Sequence, residues 1–440
     1  MFSSVFFRGA LILGLAGMSA AEAMTDCPGT LPANGLTLAV AVDSALCRNV
    51  TTRDAWTQIR IQEAGVRLAG STYKPSATLG LSATDSSSDP GSSSKRIAAD
   101  ARLSYLLWDF GQRAAEQSQA RALLAAATAS RDAAVSNVSS ATVAAYLGVL
   151  KASGQITAAK AAEDASSRSQ EAAEARFRTG AGTPLDVLQA KAAYAQAVLA
   201  RVKAENALAT AKGALAHALA VSPLKLPELA NVDIPVSASV QTESLVEPMI
   251  RDALAQRPEI RAAQSSLQAS ESALDILRSQ NRPSVSLNGS LGAGHTSGQN
   301  QTTGSVGISL DIPLDINGSN SARLAQGEAQ RDSRRIALDQ ARMDVEQDVW
   351  QSFHDAGSAA ATVQAAADSA DSSRKAATVA LGRYQAGLGT LLDVLNAQSS
   401  QAAAEQQLIA ARYDWLNART RLALSLGKPF DGRAMTDTAP

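Results

Sequence analysis

Arg176-Phe-Arg-Thr-Gly-Ala-Gly-Thr-Pro-Leu-Asp-Val-Leu-Gln-Ala190 returns 207 positions later as Arg383-Tyr-Gln-Ala-Gly-Leu-Gly-Thr-Leu-Leu-Asp-Val-Leu-Asn-Ala397. Arginine, an aromatic ring, two glycines, Thr, Leu, Asp, Val, Leu and Ala all keep register. A repeat of this length and order marks a duplication, so the architecture reads as two copies of one unit. Each copy reads as a helix, a tight turn and a second helix. Gly180 with Gly182, and Gly387 with Gly389, offer positive φ, which ends one helix and reverses the chain. Thr183 and Thr390 suit N-caps, and Pro184 suits a first helical position. Asp186 and Asp393 then fall in a first helical turn, where free backbone N–H groups favour a carboxylate. Helix capping alone is one sufficient reading of both aspartates.

The register extends outward from the turns. Unit one opens with a helix over about 37–72 and unit two with its counterpart over about 244–281, now offset by 208, so that Arg53 matches Arg261 and Pro75 matches Pro283. After each proline the period changes from helical to two. Ala77, Leu79, Leu81 and Ala83 alternate with Ser76, Thr78, Gly80, Ser82 and Thr84. A polar loop over 85–96 follows. Then Ile97, Ala99, Ala101, Leu103, Tyr105 and Leu107 alternate with Ala98, Asp100, Arg102 and Ser104. Unit two repeats this with Val285, Leu287 and Leu291, a loop over 294–303, then Val306, Ile308, Leu310 and Ile312. The reading is two hairpins, 75–107 and 283–314, each strand about ten residues long with one apolar and one polar face. That is the size and pattern of a membrane β-barrel strand. A half-buried sheet on a soluble domain has the same alternation. Open strand edges are not tolerated in lipid, and known barrels begin at about eight strands, so the membrane reading requires several chains per barrel.

Short turns, Trp108-Asp-Phe-Gly111 and Leu314-Asp-Ile-Asn-Gly318, lead into helices over about 112–178 and 320–385. Tyr146 aligns with Phe353 and Val138 with Val345. At 1.5 Å per residue each long helix reaches about 100 Å, so the strands stand at one end of a rod and the glycine turns, 179–183 and 386–390, at the other. Returning helices run over about 184–220 and 391–426. The units are 24–221 and 244–427, joined by the Pro-bearing linker 222–243 and followed by a tail, 428–440. Aromatic residues make up only 4% of the chain, and alanine is the largest part of its apolar share. Such a composition favours long, closely packed helices over a large globular core.

Residues 1–23 read as a secretory signal: Arg8, an apolar run over 10–21, and Ala21-Glu-Ala23 as a cleavage site. Met24-Thr25-Asp26 lacks the small residues that a lipid-anchored Cys27 would need. The only cysteines are Cys27 and Cys47. In an exported chain they form a disulfide, contributing roughly 3 kcal/mol by loop closure; two free buried thiols are the alternative. The net charge of −1 implies no field for nucleic acid. His217, His295 and His354 have no ligand-spaced partners, and no nucleotide loop or nucleophile elbow occurs, so no enzyme activity and no cofactor or metal are expected.

Taken together, the doubled turns, the proline-led strand pairs and the Arg-Pro-Glu-Ile-Arg261 run resemble the TolC-like outer membrane efflux and secretion family over about 36–427. Leu36-Thr-Leu with Asp43-Ser-Ala-Leu-Cys47-Arg-Asn49 and Thr52-Arg-Asp-Ala-Trp56 resembles its type I secretion branch, of the cyclolysin-exporter type. The resemblance implies a mainly α fold with a small membrane β part. Long helices would form a periplasmic α-barrel, and four strands per chain would build a shared twelve-stranded barrel in a homotrimer. It implies a passive duct in the Gram-negative outer membrane that works with a periplasmic adaptor and an inner-membrane ABC transporter. An RND-type drug or metal pump is the alternative partner. A periplasmic coiled-coil adaptor is the rival of another class, although it should carry β-rich halves around one helical hairpin. By resemblance Gly180, Gly182, Gly387 and Gly389 meet the adaptor, while Asp186, Tyr384, Asp393 and Asn396 belong to the constriction and its gate. The best-known member has Arg where Gly389 stands and a second acid where Asn396 stands. Arg176 and Arg383 are therefore the expected alternative latch.

Overall fold

Two residues interrupt what the periodicity reads as single opening helices. The computed structural model describes residues 35–88, 92–230, 246–296 and 299–427. In it unit one runs α1 (Leu38–Arg48), α2 (Val50–Ser71), β1 (Ser76–Ser88), β2 (Ser92–Trp108), α3 (Gln112–Arg178) and α4 (Pro184–Ala218). Unit two runs α5 (Val246–Gln256), α6 (Pro258–Gln280), β3 (Ser284–Thr296), β4 (Gln299–Asp311), α7 (Ser319–Gln385) and α8 (Leu391–Ser425). The helix expected over 37–72 breaks at Asn49, which is extended (φ −60°, ψ 136°) and caps α2 by accepting from the Thr51 N–H at 2.9 Å. The counterpart helix breaks at Arg257 (φ −62°, ψ 129°), directly before Pro258. Asparagine's side chain competes for backbone groups, and proline pushes its predecessor out of the α region. Each break also ties down the far end of its unit. Asn49 Nδ2 donates to the Ala218 carbonyl (3.2 Å) and Arg257 Nη1 to that of Ser425 (3.1 Å).

The four strands form one antiparallel sheet in the order β1-β2-β3-β4, which leaves β1 and β4 as open edges. The ladders run past the expected polar loops: β1 pairs with β2 through Ser88↔Ser92, and β3 with β4 through Thr296↔Gln299. Backbone pairing needs no apolar alternation where the strands stand in water, which is why the pattern under-reads their length. Thirteen residues at about 3.3 Å each, tilted as barrel strands are, exceed a hydrocarbon core by a few ångströms.

Register separates the two faces. Leu79, Ala101, Leu291 and Gly304 lie side by side on one, and Thr78, Arg102, Ser290 and Ser305 on the other. Side chains stitch the polar face, with Ser104 Oγ donating to Asn288 Oδ1 (3.0 Å), Asn288 Nδ2 to Ser309 Oγ (3.0 Å), and Ser290 bonded to Ser305 (2.8 Å). On the apolar face Leu79, Leu81, Val306 and Ile308 are 72–82% exposed, so nothing among the described residues covers them.

Helices α3 and α7 each run 67 residues, about 100 Å by helix rise. Helix α3 packs against α4, α6 and α8, and α7 against α6 and α8. The main core lies around mid-rod, where α1, α3, α4, α7 and α8 converge on Val143, Tyr146 and Leu215. Tyr146 is fully buried and donates to the Leu36 carbonyl (2.9 Å), whose residue pairs with Leu229 in a parallel bridge. Cys47 is disulfide-bonded. Its expected partner Cys27, the signal segment, most of the linker and the tail lie outside the described residues.

Candidate functional site at the helical tip

Each long helix ends in the same way. Gly180 (φ +75°) and Gly387 (φ +78°) take the left-handed conformation that reverses the chain, and their N–H groups bond the carbonyls of Phe177 and Tyr384, each at 3.0 Å. Gly182 and Gly389 do not take positive φ, contrary to expectation. They are glycines because the turn folds back on its own helix. A Cβ at Gly182 would stand 3.0 Å from Phe177 N, and one at Gly389 would stand 3.4 Å from Tyr384 N. Each turn is also stapled from within. Arg176 Nη2 donates to the Ala181 carbonyl (3.4 Å) and Arg383 Nη2 to that of Leu388 (3.3 Å).

The next helices start with full capping boxes. Thr183 Oγ1 accepts from Asp186 N (3.2 Å), and Asp186 Oδ2 accepts from Thr183 N (3.0 Å). Thr390 and Asp393 repeat this at 3.2 and 3.1 Å, and Thr390 Oγ1 adds a donated bond to Asp393 Oδ2 (2.8 Å). The Thr390 hydroxyl, then its N–H, hold the Asp393 carboxyl below its ordinary value, with the Arg383 charge helping. Both aspartates therefore serve as caps. Asp393 is exposed and uses only Oδ2 in the cap, so Oδ1 remains free toward solvent.

The two tips meet inside one chain. Ala173, Ala190, Tyr384, Leu391 and Val394 form a small buried cluster between them. The Arg176 guanidinium lies 4.7 Å above the Tyr384 ring, and its Nη1 donates to the Tyr384 carbonyl. Tyr384 is 3% exposed, and its hydroxyl has no hydrogen-bond partner among the described residues. Burial raises the pKa of that hydroxyl, the Arg176 charge opposes the rise, and the Asp186 charge adds to it. The cross-tip hold is thus a guanidinium on a ring and a carbonyl. Asn396 is exposed and lines, with its repeat counterpart Gln189, an open groove of about 1010 Å³ between the hairpins.

Sequence reasoning missed the opposite end. Arg113 is 8% exposed; it donates to Asp109 Oδ2 (2.9 Å) and the Leu106 carbonyl (2.9 Å), and lies 4.7 Å over the Tyr73 ring. Burial pushes the Asp109 carboxyl up, but bonds from Arg113 and Gly111 outweigh it and the pKa falls. The i,i+4 spacing of an Asp and an Arg across a strand-to-helix turn was the available signal. Among the described residues, no cluster of three His, Cys, Asp or Glu could hold a metal.

Residues 41–221 and 249–428 match the sequence profile of the outer membrane efflux protein family. Protein CyaE of Bordetella pertussis is 31% identical over 399 residues, 88% of this chain and 80% of its own. The alkaline protease secretion protein AprF of Pseudomonas aeruginosa is 27% identical over 64% of this chain and 60% of its own. The outer membrane protein VceC of Vibrio cholerae has the same fold, with a TM-score of 0.77 at 22% identity over 90% of this chain and 97% of its own. CusC superposes with a TM-score of 0.79 at 20% identity, over 89% and 92%. The chain belongs to the outer membrane efflux protein family and is an export channel of the Gram-negative outer membrane, its helices extending into the periplasm.

Proposed function

We propose that three copies of this chain close one twelve-stranded pore and serve as the exit duct of a type I protein secretion system. The open sheet edges carry this reading. An apolar face cannot sit in lipid beside unpaired strand edges, so β4 of one copy must pair with β1 of the next. The apolar face then meets lipid and the stitched polar face lines the water path. An ABC transporter and a periplasmic adaptor supply energy and cargo. The adaptor meets the glycine turns, where Gly180 and Gly387 leave open space for an approaching backbone. The constriction is built from Asp393, with Asp186, Tyr384 and Asn396 around it, and Arg176 and Arg383 hold it closed.

Similarity to AprF favours protein cargo. Similarity to the toluene efflux pump outer membrane protein TtgF of Pseudomonas putida, 25% identical over 89% of this chain, supports the alternative of small-molecule efflux. A cell lacking its own duct decides between them. Given this chain, it should regain secretion of an ABC-exported protein when the matching transporter and adaptor are supplied. Regained resistance to small toxic molecules without protein secretion would assign it to a drug or metal pump instead.

A further inference from the structure

The duplication supplies a rule for the surface that a neighbouring copy covers. Inside one chain, unit one meets unit two along a seam where α3 packs against α6 and α8. A closed ring of identical chains needs a second seam, where unit two of one copy meets unit one of the next. Helix α7 is the counterpart of α3, α2 of α6, and α4 of α8. The second seam therefore sets α7 against α2 and α4 of the neighbour. This inference rests on the ring proposed above.

Two polar contacts of the inner seam survive transfer to the outer one. Arg261 Nη2 on α6 meets Asp132 Oδ2 on α3 at 3.3 Å. Their counterparts are Arg53 and Asp339, again arginine and aspartate. The Arg176 guanidinium covers Tyr384, and the counterparts are Arg383 and Phe177. Other cross-seam contacts do not transfer. Lys151–Asp414 falls on Ser358 and Ala207, and Ser118–Ser272 on Ala325 and Ala64. Drift has thus erased some polar pairs of the seam and kept these two.

The surfaces around them agree. Asp132 is shared between Arg131 on its own helix (2.6 Å) and Arg261 across the seam. Asp339 has the first kind of partner, Arg342 at 3.0 Å, and lacks the second. Among the described residues Arg53 has no ion pair, and it is exposed. One turn before Asp339, Ile336 is 70% exposed, whereas its counterpart Ala129 is 5% exposed. On α2, Ile61 is 52% exposed, whereas its counterpart Ala269, one turn before the Ser272 that bonds Ser118 of α3, is 4% exposed. Large apolar side chains thus stand bare where the inner seam has buried alanine, and another protein surface must cover them. We propose that Arg53 of one copy pairs with Asp339 of the next, fixing the register of α2 against α7, and that Arg383 stacks on Phe177 of the neighbouring copy at the tip.

Charge reversal tests the first pair. Arg53→Glu and Asp339→Arg, each alone, should lose the detergent-resistant trimer on an unheated gel, and the double variant should restore it. Single variants with unchanged trimer, or a double variant no better than either single, would overturn the pairing. Because a reversed charge can also impair folding, Arg53→Cys with Asp339→Cys offers a second route, using a short bis-maleimide with the native cysteines left oxidised. Dimer and trimer bands are expected under denaturing conditions. Only monomer bands, from a particle that light scattering shows to be trimeric, would refute the seam while leaving the ring intact. A monomeric wild-type particle would remove the ring and this pairing with it.

Discussion

Replacing Arg176 by Ala tests what holds the two tips of one chain together. The side chain makes one charge-assisted bond to the Tyr384 carbonyl, one long bond to the Ala181 carbonyl, and a ring contact at 4.7 Å. A hydrogen bond to a charged group contributes about 1.5–3 kcal/mol and an exposed cation–π contact about 0.5–1 kcal/mol. The Tyr384 carbonyl also accepts from Gly387 N, so it is not orphaned when the guanidinium goes, and the lower end of each range applies. The sum is about 2 kcal/mol per seam, close to a 30-fold shift in the equilibrium between joined and parted tips at 1.4 kcal/mol per decade. Single-channel recording in planar bilayers reads this shift as larger conductance and longer open dwells. Arg176→Lys keeps the charge but not the planar fork, so it should fall between wild type and Arg176→Ala. Wild-type conductance in Arg176→Ala, from trimers that remain intact on gels, would refute the reasoning.

Tyr384→Phe should leave conductance unchanged and raise thermal stability by up to about 1 kcal/mol, since it removes a desolvated hydroxyl with no partner. Raised conductance in that variant would show that the hydroxyl finds a partner in the assembled pore. Asp393→Asn keeps an acceptor for the Thr390 N–H but removes the charge, so the fold should persist while cation selectivity and block by trivalent ions fall. The same carboxyl is held below its ordinary value of 3.8, so the stability its charged form contributes is complete above the carboxylate range and is lost as pH falls through the lowered value. Cation selectivity measured by reversal potential should therefore survive at pH 3.8 and collapse below it. Gly182→Ala should destabilise the tip more than Gly389→Ala, because its Cβ meets backbone nitrogen at 3.0 Å rather than 3.4 Å; equal melting temperatures would contradict this.

Elements with strong periodicity were legible from sequence alone. The ends of α3 and α7, the alternation of the strands and both threonine caps follow from local chemistry that tertiary contacts do not override. The misses have definite causes. Asn49 and Arg257 break their helices through local chemistry, an asparagine cap and the residue before Pro258, that the helical period on either side masks; the carbonyls they reach more than 160 residues away, at Ala218 and Ser425, have no local signal. The strands run past the expected loops because Ser86 to Ser88 and Ser92 to Ser94 pair along the backbone ladder, which needs no apolar alternation. Gly182 and Gly389 were grouped with their positive-φ partners because sequence shows a glycine but not which of its two uses applies.

Between the two tips the contact runs from the Arg176 guanidinium to the ring and carbonyl of Tyr384. Where the family's best-known member has an arginine, Gly389 lets the turn fold to within contact of the Arg383 Cβ and the Tyr384 nitrogen. Arg383 uses part of its guanidinium to staple this turn through Leu388, as Arg176 does through Ala181. In both units the arginine at the helix end thus serves its own turn and still has donors to spare. Arg176 spends them across the inner seam on Tyr384. A planar group that bonds carbonyls edge-on and covers a ring face-on needs no acidic partner, so the hold between the two tips of one chain uses no acid at Asn396. Among the described residues no ion pair crosses the tips to Asp393, so in the ring proposed above its charge would be left to act on passing ions.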